Sequence, residues 1–238
     1  MIRAILFDLD GTLLDNDMDA FLRPYFKALS AKISPLVAPD RLIQQVLAST
    51  QVMIRSAHPA RTNEEVFAED FFRKIGRPRE ELMPVFNEFY EKEFVSLKKY
   101  VQTLPEAREV VGAAVERGYA VVIATSPVFP LRAVEHRLEW AGVADFPYAL
   151  ITSYENMHFC KPHPGYYLEI AGRIGRRPEE CVMVGNDPEA DIAPAAKAGM
   201  RTFCVDHRGN KDVLPVATDA RGTLDDFRRL LESWPSPK

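Results

Sequence analysis

Ile2-Arg3-Ala4-Ile5-Leu6-Phe7-Asp8-Leu9-Asp10-Gly11-Thr12 is the stretch on which the fold turns. A short apolar run breaks at an acid and closes on Asp-Gly. Its length and composition favour a buried strand over Ile2–Phe7. Side chains alternate along a strand, so Asp8 and Asp10 point the same way where it ends. Two close carboxylates oppose each other's charge unless a cation lies between them. Mg²⁺ suits that place, because it takes oxygen ligands and is commonly held by one or two carboxylates. An Asp-Gly turn closing a strand is the plainer reading of the same residues.

Similar apolar runs recur further along the chain. Ala120–Ala124, Tyr148–Ile151, Cys181–Val184 and Thr202–Val205 read as further buried strands. Helical patterns lie between them, near 105–117, 130–141, 164–174 and 188–198. Pro105 opens the first, and Gly118, Gly142, Gly175 and Gly199 close the four in turn. Strands alternating with helices imply parallel crossover units and an α/β sheet covered on both faces. One region breaks the rhythm. Between Asp15 and Tyr100 there is no strand pattern, only helices over Met18–Lys32, Pro39–Ala57, Asn63–Ile75 and Arg79–Lys99. That is a helical insertion after the first strand. The Pro-rich tail Trp234–Lys238 is expected to fray.

Composition sets the outer limits. A chain of 238 residues holds one domain with a sizeable insertion. Thirty-four acidic against 30 basic residues give a formal net charge of −4, with no basic cluster. No nucleic-acid partner and no membrane surface is therefore expected. Cys160, Cys181 and Cys204 show no paired spacing and fit reduced thiols in a cytoplasmic protein. Acidic residues arrive by position 8, which does not fit a signal peptide. The apolar stretches fall far short of the roughly 20 residues a membrane span needs.

Three further places carry chemistry. Thr125 and Ser126 follow the second strand, where hydroxyls and free N–H groups meet ligands in open α/β sheets. They read equally well as turn residues before Pro127. Lys161 is flanked by Pro162 and followed by Pro164, so it is presented from a rigid loop. An ammonium there offsets a phosphate's charge, although most lysines are merely solvated. His158, Cys160 and His163 have a superficial look of metal ligands, but no second cluster completes a set. Finally, Gly185-Asn186-Asp187-Pro188-Glu189-Ala190-Asp191 follows the fourth strand and again gathers acids at a carboxyl end. N-capping by Asp187 is the simpler account of that segment and is compatible with a functional one.

The order Asp-x-Asp-Gly-Thr, strand-Thr, Lys-Pro and Gly-Asn-Asp-x-x-x-Asp resembles the haloacid dehalogenase superfamily of phosphohydrolases, and it covers essentially the whole chain. The resemblance implies a doubly wound, Rossmann-like parallel core (residues 1–15 and 101–238) with an inserted α-helical cap (16–100). The cap falls where that of the phosphoglycolate phosphatase and β-phosphoglucomutase branch falls. It further implies a Mg²⁺-dependent phosphatase acting on a small phosphorylated metabolite through an aspartyl-phosphate. Asp8 would be the nucleophile, and Asp10 the acid and then the base. Thr125, Ser126 and Lys161 would hold the phosphoryl oxygens. Asp8, the Asp10 carbonyl and a fourth-motif acid would hold the metal, with Thr12, Asn186 and Asp191 in support.

Two departures from the family pattern stand out. Asn186 follows Gly185 where many relatives have Asp. Either Asp187 takes the metal with Asp191 steadying it, or Asn186 fills the position as a neutral oxygen; the reading adopted is Asp187. Ser126 also stands where many relatives have Asn. Three rival readings are a sugar-phosphate mutase, a metal-free dehalogenase and a non-catalytic binding protein on the same fold. Dehalogenases lack an acid at the position of Asp10, and the mutase shares every core motif. Specificity would lie in the cap, with Arg55, His58, Arg61 and Arg73 as candidate anion contacts. A monomer and a homodimer are both compatible with the sequence.

Overall fold

The computed structural model describes residues 1–206 and 216–237. In chain order, β1 (Ala4–Phe7) and the short β2 (Leu14–Asp15) precede α1 (Met18–Ile33), α2 (Pro39–Arg55), α3 (Asn63–Ile75) and α4 (Arg79–Lys92). A 3₁₀ segment (Phe94–Tyr100) and β3 (Gln102–Thr103) follow. Next come α5 (Pro105–Glu116), β4 (Ala120–Ile123), α6 (Leu131–Ala141), β5 (Leu150–Ile151) and α7 (Pro164–Arg173). The chain continues with β6 (Cys181–Gly185), α8 (Ala193–Lys197), β7 (Arg201–Val205), β8 (Ala220–Gly222) and α9 (Leu224–Ser233).

The main sheet has the order β5-β4-β1-β6-β7-β8, and all its pairings are parallel. β1 lies inside it and is buried at every residue, which is why its run is apolar without alternation. Ile5, Phe7, Val121, Ile123, Val182 and Val184 face one layer, with α5 and α9. Ala4, Leu6, Val122 and Met183 face the other, against Tyr166, Tyr167 and Ile170 of α7. The chain winds outward from β1 through β4 to β5, then returns to β6 on the opposite side of β1. Open α/β sheets bind ligands beyond their carboxyl ends at such a reversal.

The inserted helices leave and re-enter the core through β2 and β3, which pair antiparallel as Leu14 with Thr103 and Asp15 with Gln102. Asp17 caps α1 by accepting from Asp19 N (3.0 Å) and Ala20 N (3.2 Å). Thr62 and Glu65 form a capping box on α3. One apolar cluster runs unbroken from the sheet into the cap through Phe21, Tyr25, Phe89 and Phe94. Phe94 stacks on Trp140 of α6 at 5.4 Å, tying cap to core.

Several expectations need correction. The helix read over Arg79–Lys99 stops at Lys92 and resumes as 3₁₀. Ser96 accounts for the break, because its hydroxyl takes the Glu93 carbonyl at 2.7 Å in competition with the α-helical donor. The segment 188–198 opens with a π turn over Pro188–Ile192 before α8 begins. Pro194 has no N–H for the Ala190 carbonyl, and the Tyr167 hydroxyl donates to that carbonyl instead. The tail is docked rather than frayed. Trp234 packs on Phe227 (6.0 Å) and Tyr119 (6.5 Å), Arg117 donates to the Trp234 carbonyl, and Tyr119 donates to that of Pro235 (3.1 Å). Lys238 lies outside the described residues. No helix among them is long and apolar enough to cross a membrane.

Candidate active site

The strands at the centre of the sheet end level with one another. Asp8 N–H donates to Val184 O (2.9 Å), and Ala124 N–H donates to Phe7 O (2.7 Å). The loops that follow β1, β4 and β6 therefore meet, and they bound a cleft of about 520 Å³. Asp8, Asp10, Thr125, Ser126, Lys161, Asn186, Asp187 and Asp191 all line it. Thr12 is buried behind these lining residues, with Oγ1 at 3.1 Å from both Asp8 Oδ2 and Asn186 Oδ1. Its single proton serves one of the two at a time. The sequence-selected residues are thus brought together.

Gly11 explains part of this packing. Its φ is +84°, and a Cβ there would lie 2.6 Å from Asn186 Nδ2. Asn186 is thereby seated against the Asp-Gly turn of the first motif, with Thr12 as its partner. Thr125 is buried, and its carbonyl is clamped by Thr152 Oγ1 and the Tyr166 hydroxyl, each at 2.8 Å.

Lys161 Nζ donates to Asp8 Oδ1 (2.8 Å) and Asp191 Oδ1 (2.6 Å), and all three side chains are buried. One ammonium thus serves two carboxylates. Burial pushes the Asp8 carboxyl up to about 7 against the pull of Lys161, and the neighbouring charges of Asp191 and Asp10 add to the rise. Burial works against the Lys161 charge too, but Asp191 and Asp8 outweigh it and hold that ammonium well above its ordinary value.

Asp191 Oδ2 accepts from Asp187 N (3.1 Å), so it fixes both the lysine and the fourth loop. Asp187 Oδ1 in turn caps the following turn through Glu189 N (2.8 Å) and Ala190 N (2.9 Å). A Cβ on Gly185 would fall 2.2 Å from Asp191 Oδ2. Gly185→Ala is therefore expected to push Asp191 off Lys161. Forcing atoms into a filled site typically costs about 1–3 kcal/mol. A lowered thermal midpoint together with a lowered kcat is the expected result, and an unchanged kcat would contradict it.

Asp10 is held from two sides. Asn16 Nδ2 donates to its Oδ1 at 2.7 Å, and Arg137 Nη1 donates to its Oδ2. Arg137 was not selected from the sequence. Only 1% exposed, it stands on α6 with its guanidinium carbon 4.8 Å from the centre of the Phe129 ring. Its Nε donates to Ala133 O (3.2 Å), while its Nη2 has no hydrogen-bond partner among the described residues. The available signal was a charge on the face shared with Ala133, Trp140 and Ala141, where only a buried partner makes arginine tolerable.

The superficial metal ligands after β5 have other work. His158 Nδ1 pairs with Glu169 (2.8 Å), and His163 Nδ1 accepts from Gly165 N at the start of α7. Burial pushes the Cys160 thiol up to about 12, which makes it inert. Arg55, His58, Arg61 and Arg73 do not line the cleft. Arg61 is paired with Glu69 and Arg73 with Asp70.

The residues present fit a hard divalent cation. Six carboxylates line the cleft (those of Asp8, Asp10, Asp15, Asp17, Asp187 and Asp191) against two cations, Arg137 and Lys161. An anionic substrate cannot settle there unless further positive charge accompanies it. No group of three His, Cys, Asp or Glu side chains is arranged as a ready metal cage among the described residues. Mg²⁺ does not require one, since it keeps several waters and binds through one or two carboxylates plus substrate phosphate.

The sequence matches over residues 2–199 a hydrolase family described as haloacid dehalogenase-like hydrolase. Among curated relatives, the phosphoglycolate phosphatase of Xanthomonas campestris pv. campestris (strain 8004) is 29% identical over 242 residues, covering 99% of this chain and 98% of the relative. The glyceraldehyde 3-phosphate phosphatase of Methanopyrus kandleri is 28% identical over 226 residues, covering 92% and 90%. Among solved structures, a 2-haloacid dehalogenase from Pseudomonas syringae pv. Tomato DC3000 has a TM-score of 0.66 at 22% identity, covering 98% of this chain and 100% of that one. A structure assigned as a β-phosphoglucomutase from Thermotoga maritima has a TM-score of 0.59 at 19% identity, covering 97% of this chain and 99% of that one. The fold is common to both chemistries, and the chain belongs to the haloacid dehalogenase-like hydrolase family.

Proposed function

We propose that this protein is a Mg²⁺-dependent phosphatase that hydrolyses a small phosphate monoester through an aspartyl-phosphate on Asp8. The carrying observation is Asp10, an acid two residues beyond Asp8, held in the same cleft by Asn16 and Arg137. Phosphoryl transfer needs a proton donor for the departing alkoxide and later a base for water, and Asp10 supplies both. Asp8 attacks phosphorus, which splits the hydrolysis into two easier steps. Lys161, Thr125 and Ser126 take the phosphoryl oxygens, and Asp191 positions Lys161. Residues 16–100 act as the cap that excludes water and receives the alcohol half. When bound, Mg²⁺ would neutralise phosphoryl charge and orient the group. Asp8, the Asp10 carbonyl and Asp187 would hold it. The two phosphatases among the relatives named above support the reading as far as phosphate monoesters in general.

Phosphate release across a panel of metabolite monoesters tests the proposal. Turnover that requires Mg²⁺ and is abolished by chelation supports it. Conversion of a sugar phosphate to its isomer without phosphate release would instead favour the mutase. The ligand assignment is tested by calorimetric Mg²⁺ titration of the unreacted protein. Asp187→Asn is expected to weaken binding by about tenfold or more, since a hard cation loses an anionic oxygen. Asn186→Ala is expected to do much less. The reverse order would move the ligand position to Asn186.

A further inference from the structure

A second cavity, of about 270 Å³, lies inside the cap where α1–α4 converge above the loop after β4. Met18, Val128 and Phe129 line both this cavity and the catalytic cleft, so the two are adjacent across these three side chains. Its walls are largely apolar, among them Leu22, Val46, Ile54, Phe67, Phe72 and Phe86. No lysine or arginine lines it, and its charged residue, Glu64, is paired with Arg79 at 2.6 Å. Its outer mouth adjoins a further cavity whose arginines are also matched, Arg79 to Glu64 and Arg132 to Glu91 (3.0 Å). Of the two cations of the catalytic cleft, neither of which lines this cavity, Lys161 is engaged with Asp8 and Asp191, and Arg137 with Asp10 through Nη1 while its Nη2 stays open.

We infer that this cavity receives the alcohol half of the substrate, and that this half is an uncharged, apolar group about the size of an aromatic ring. The inference rests on the phosphatase reading for the phosphoryl end alone. An apolar cavity of about 150 Å³ suffices to take up benzene, so the volume here accommodates a ring on a short linker. A carboxylate in the same place would lose its hydration and gain no free cation, which is costly. Phosphoglycolate, the substrate named for several relatives, is therefore a poor fit to this cap.

The test compares kcat/KM for ethyl phosphate, 2-phenylethyl phosphate and 2-phosphoglycolate. The first two leave as alcohols of similar acidity, so their ratio reports the cavity rather than the chemistry. Burial of the ring is expected to favour 2-phenylethyl phosphate over ethyl phosphate by about 30-fold. Phosphoglycolate is expected to fall below both. Leu47 lines the cavity and is 46% exposed, so the fold tolerates a long polar side chain there. Leu47→Arg is expected to shrink the preference to about threefold or less, with the loss falling mainly on 2-phenylethyl phosphate. Equal rates for the two alkyl esters, a preference for phosphoglycolate, or an equal loss on both esters in Leu47→Arg would overturn the inference. A second arm is independent of catalysis. Calorimetry is expected to show 2-phenylethanol binding to the wild-type protein and at least tenfold weaker binding to Leu47→Arg. If the alcohol does not bind while ethyl phosphate is hydrolysed, the cavity assignment falls and the phosphatase reading stands. If it binds while no monoester is hydrolysed, the phosphatase reading falls and the cavity remains an apolar site.

Discussion

Asp8→Asn is expected to abolish turnover and to leave the fold in place. The amide has nearly the shape of the carboxylate but no anionic oxygen to attack phosphorus, and loss of a covalent nucleophile costs about 10⁴-fold or more. The structural cost is small for two reasons. Lys161 keeps its partner Asp191 at 2.6 Å, so no buried cation is orphaned. Burial already pushes the Asp8 carboxyl towards its neutral form, so a neutral replacement removes charge the site holds with difficulty. Phosphate release and a thermal melt of the same preparation check both halves. Residual activity above about 1% would mean that water attacks directly and that Asp8 has another task.

Asp10→Asn is expected to separate the two halves of the reaction. With an alkyl phosphate the departing alkoxide needs a proton, and losing a positioned general acid costs about 10²–10⁴-fold. A nitrophenolate leaves as a stable anion, so phosphoenzyme formation from nitrophenyl phosphate slows far less. On the proposed mechanism dephosphorylation is also expected to slow, because the same carboxylate would be the base for water, and phosphoenzyme is expected to accumulate. The amide oxygen can still accept from Arg137, but the ion pair is lost and the new NH₂ faces Asn16 Nδ2, so it is the contrast between the two esters, not the total loss, that isolates proton transfer. Equal slowing of phosphoenzyme formation for both esters would show that Asp10 only positions its neighbours.

The chain's α/β core was legible because three of the site's segments begin at the carboxyl end of a strand. A parallel sheet writes such strands as short apolar runs, and their carboxyl ends mark the ligand face. Asp8, Thr125 and Asn186 follow β1, β4 and β6 in this way. Arg137 was hidden for the opposite reason. It lies mid-helix, and its partner is 127 residues away in sequence, at Asp10. Nothing local distinguishes it from a solvated arginine except its place on an apolar face.

The last helix, α9, was missed although its signals were present. Thr223 and Asp226 form a capping box, and Phe227 packs on Phe7 (5.9 Å) and Phe203 (5.0 Å). The docked tail follows from that helix, since Trp234 closes over Phe227. The cap's four helices were legible from their periodicity, but not the cavity they enclose. That space forms where side chains of α1, α2, α3 and α4 meet the loop at Val128–Pro130, a convergence no single stretch of sequence contains.

The most direct test of the account is to trap the phosphoenzyme itself. Asp10→Asn mixed with nitrophenyl phosphate and Mg²⁺, quenched in acid within the first turnover, is digested and mapped by mass spectrometry. The predicted result is a phosphoryl group on the peptide containing Asp8, formed in step with nitrophenolate release. Release of nitrophenolate with no phosphorylated peptide, or with the phosphoryl group on any other residue, would contradict it.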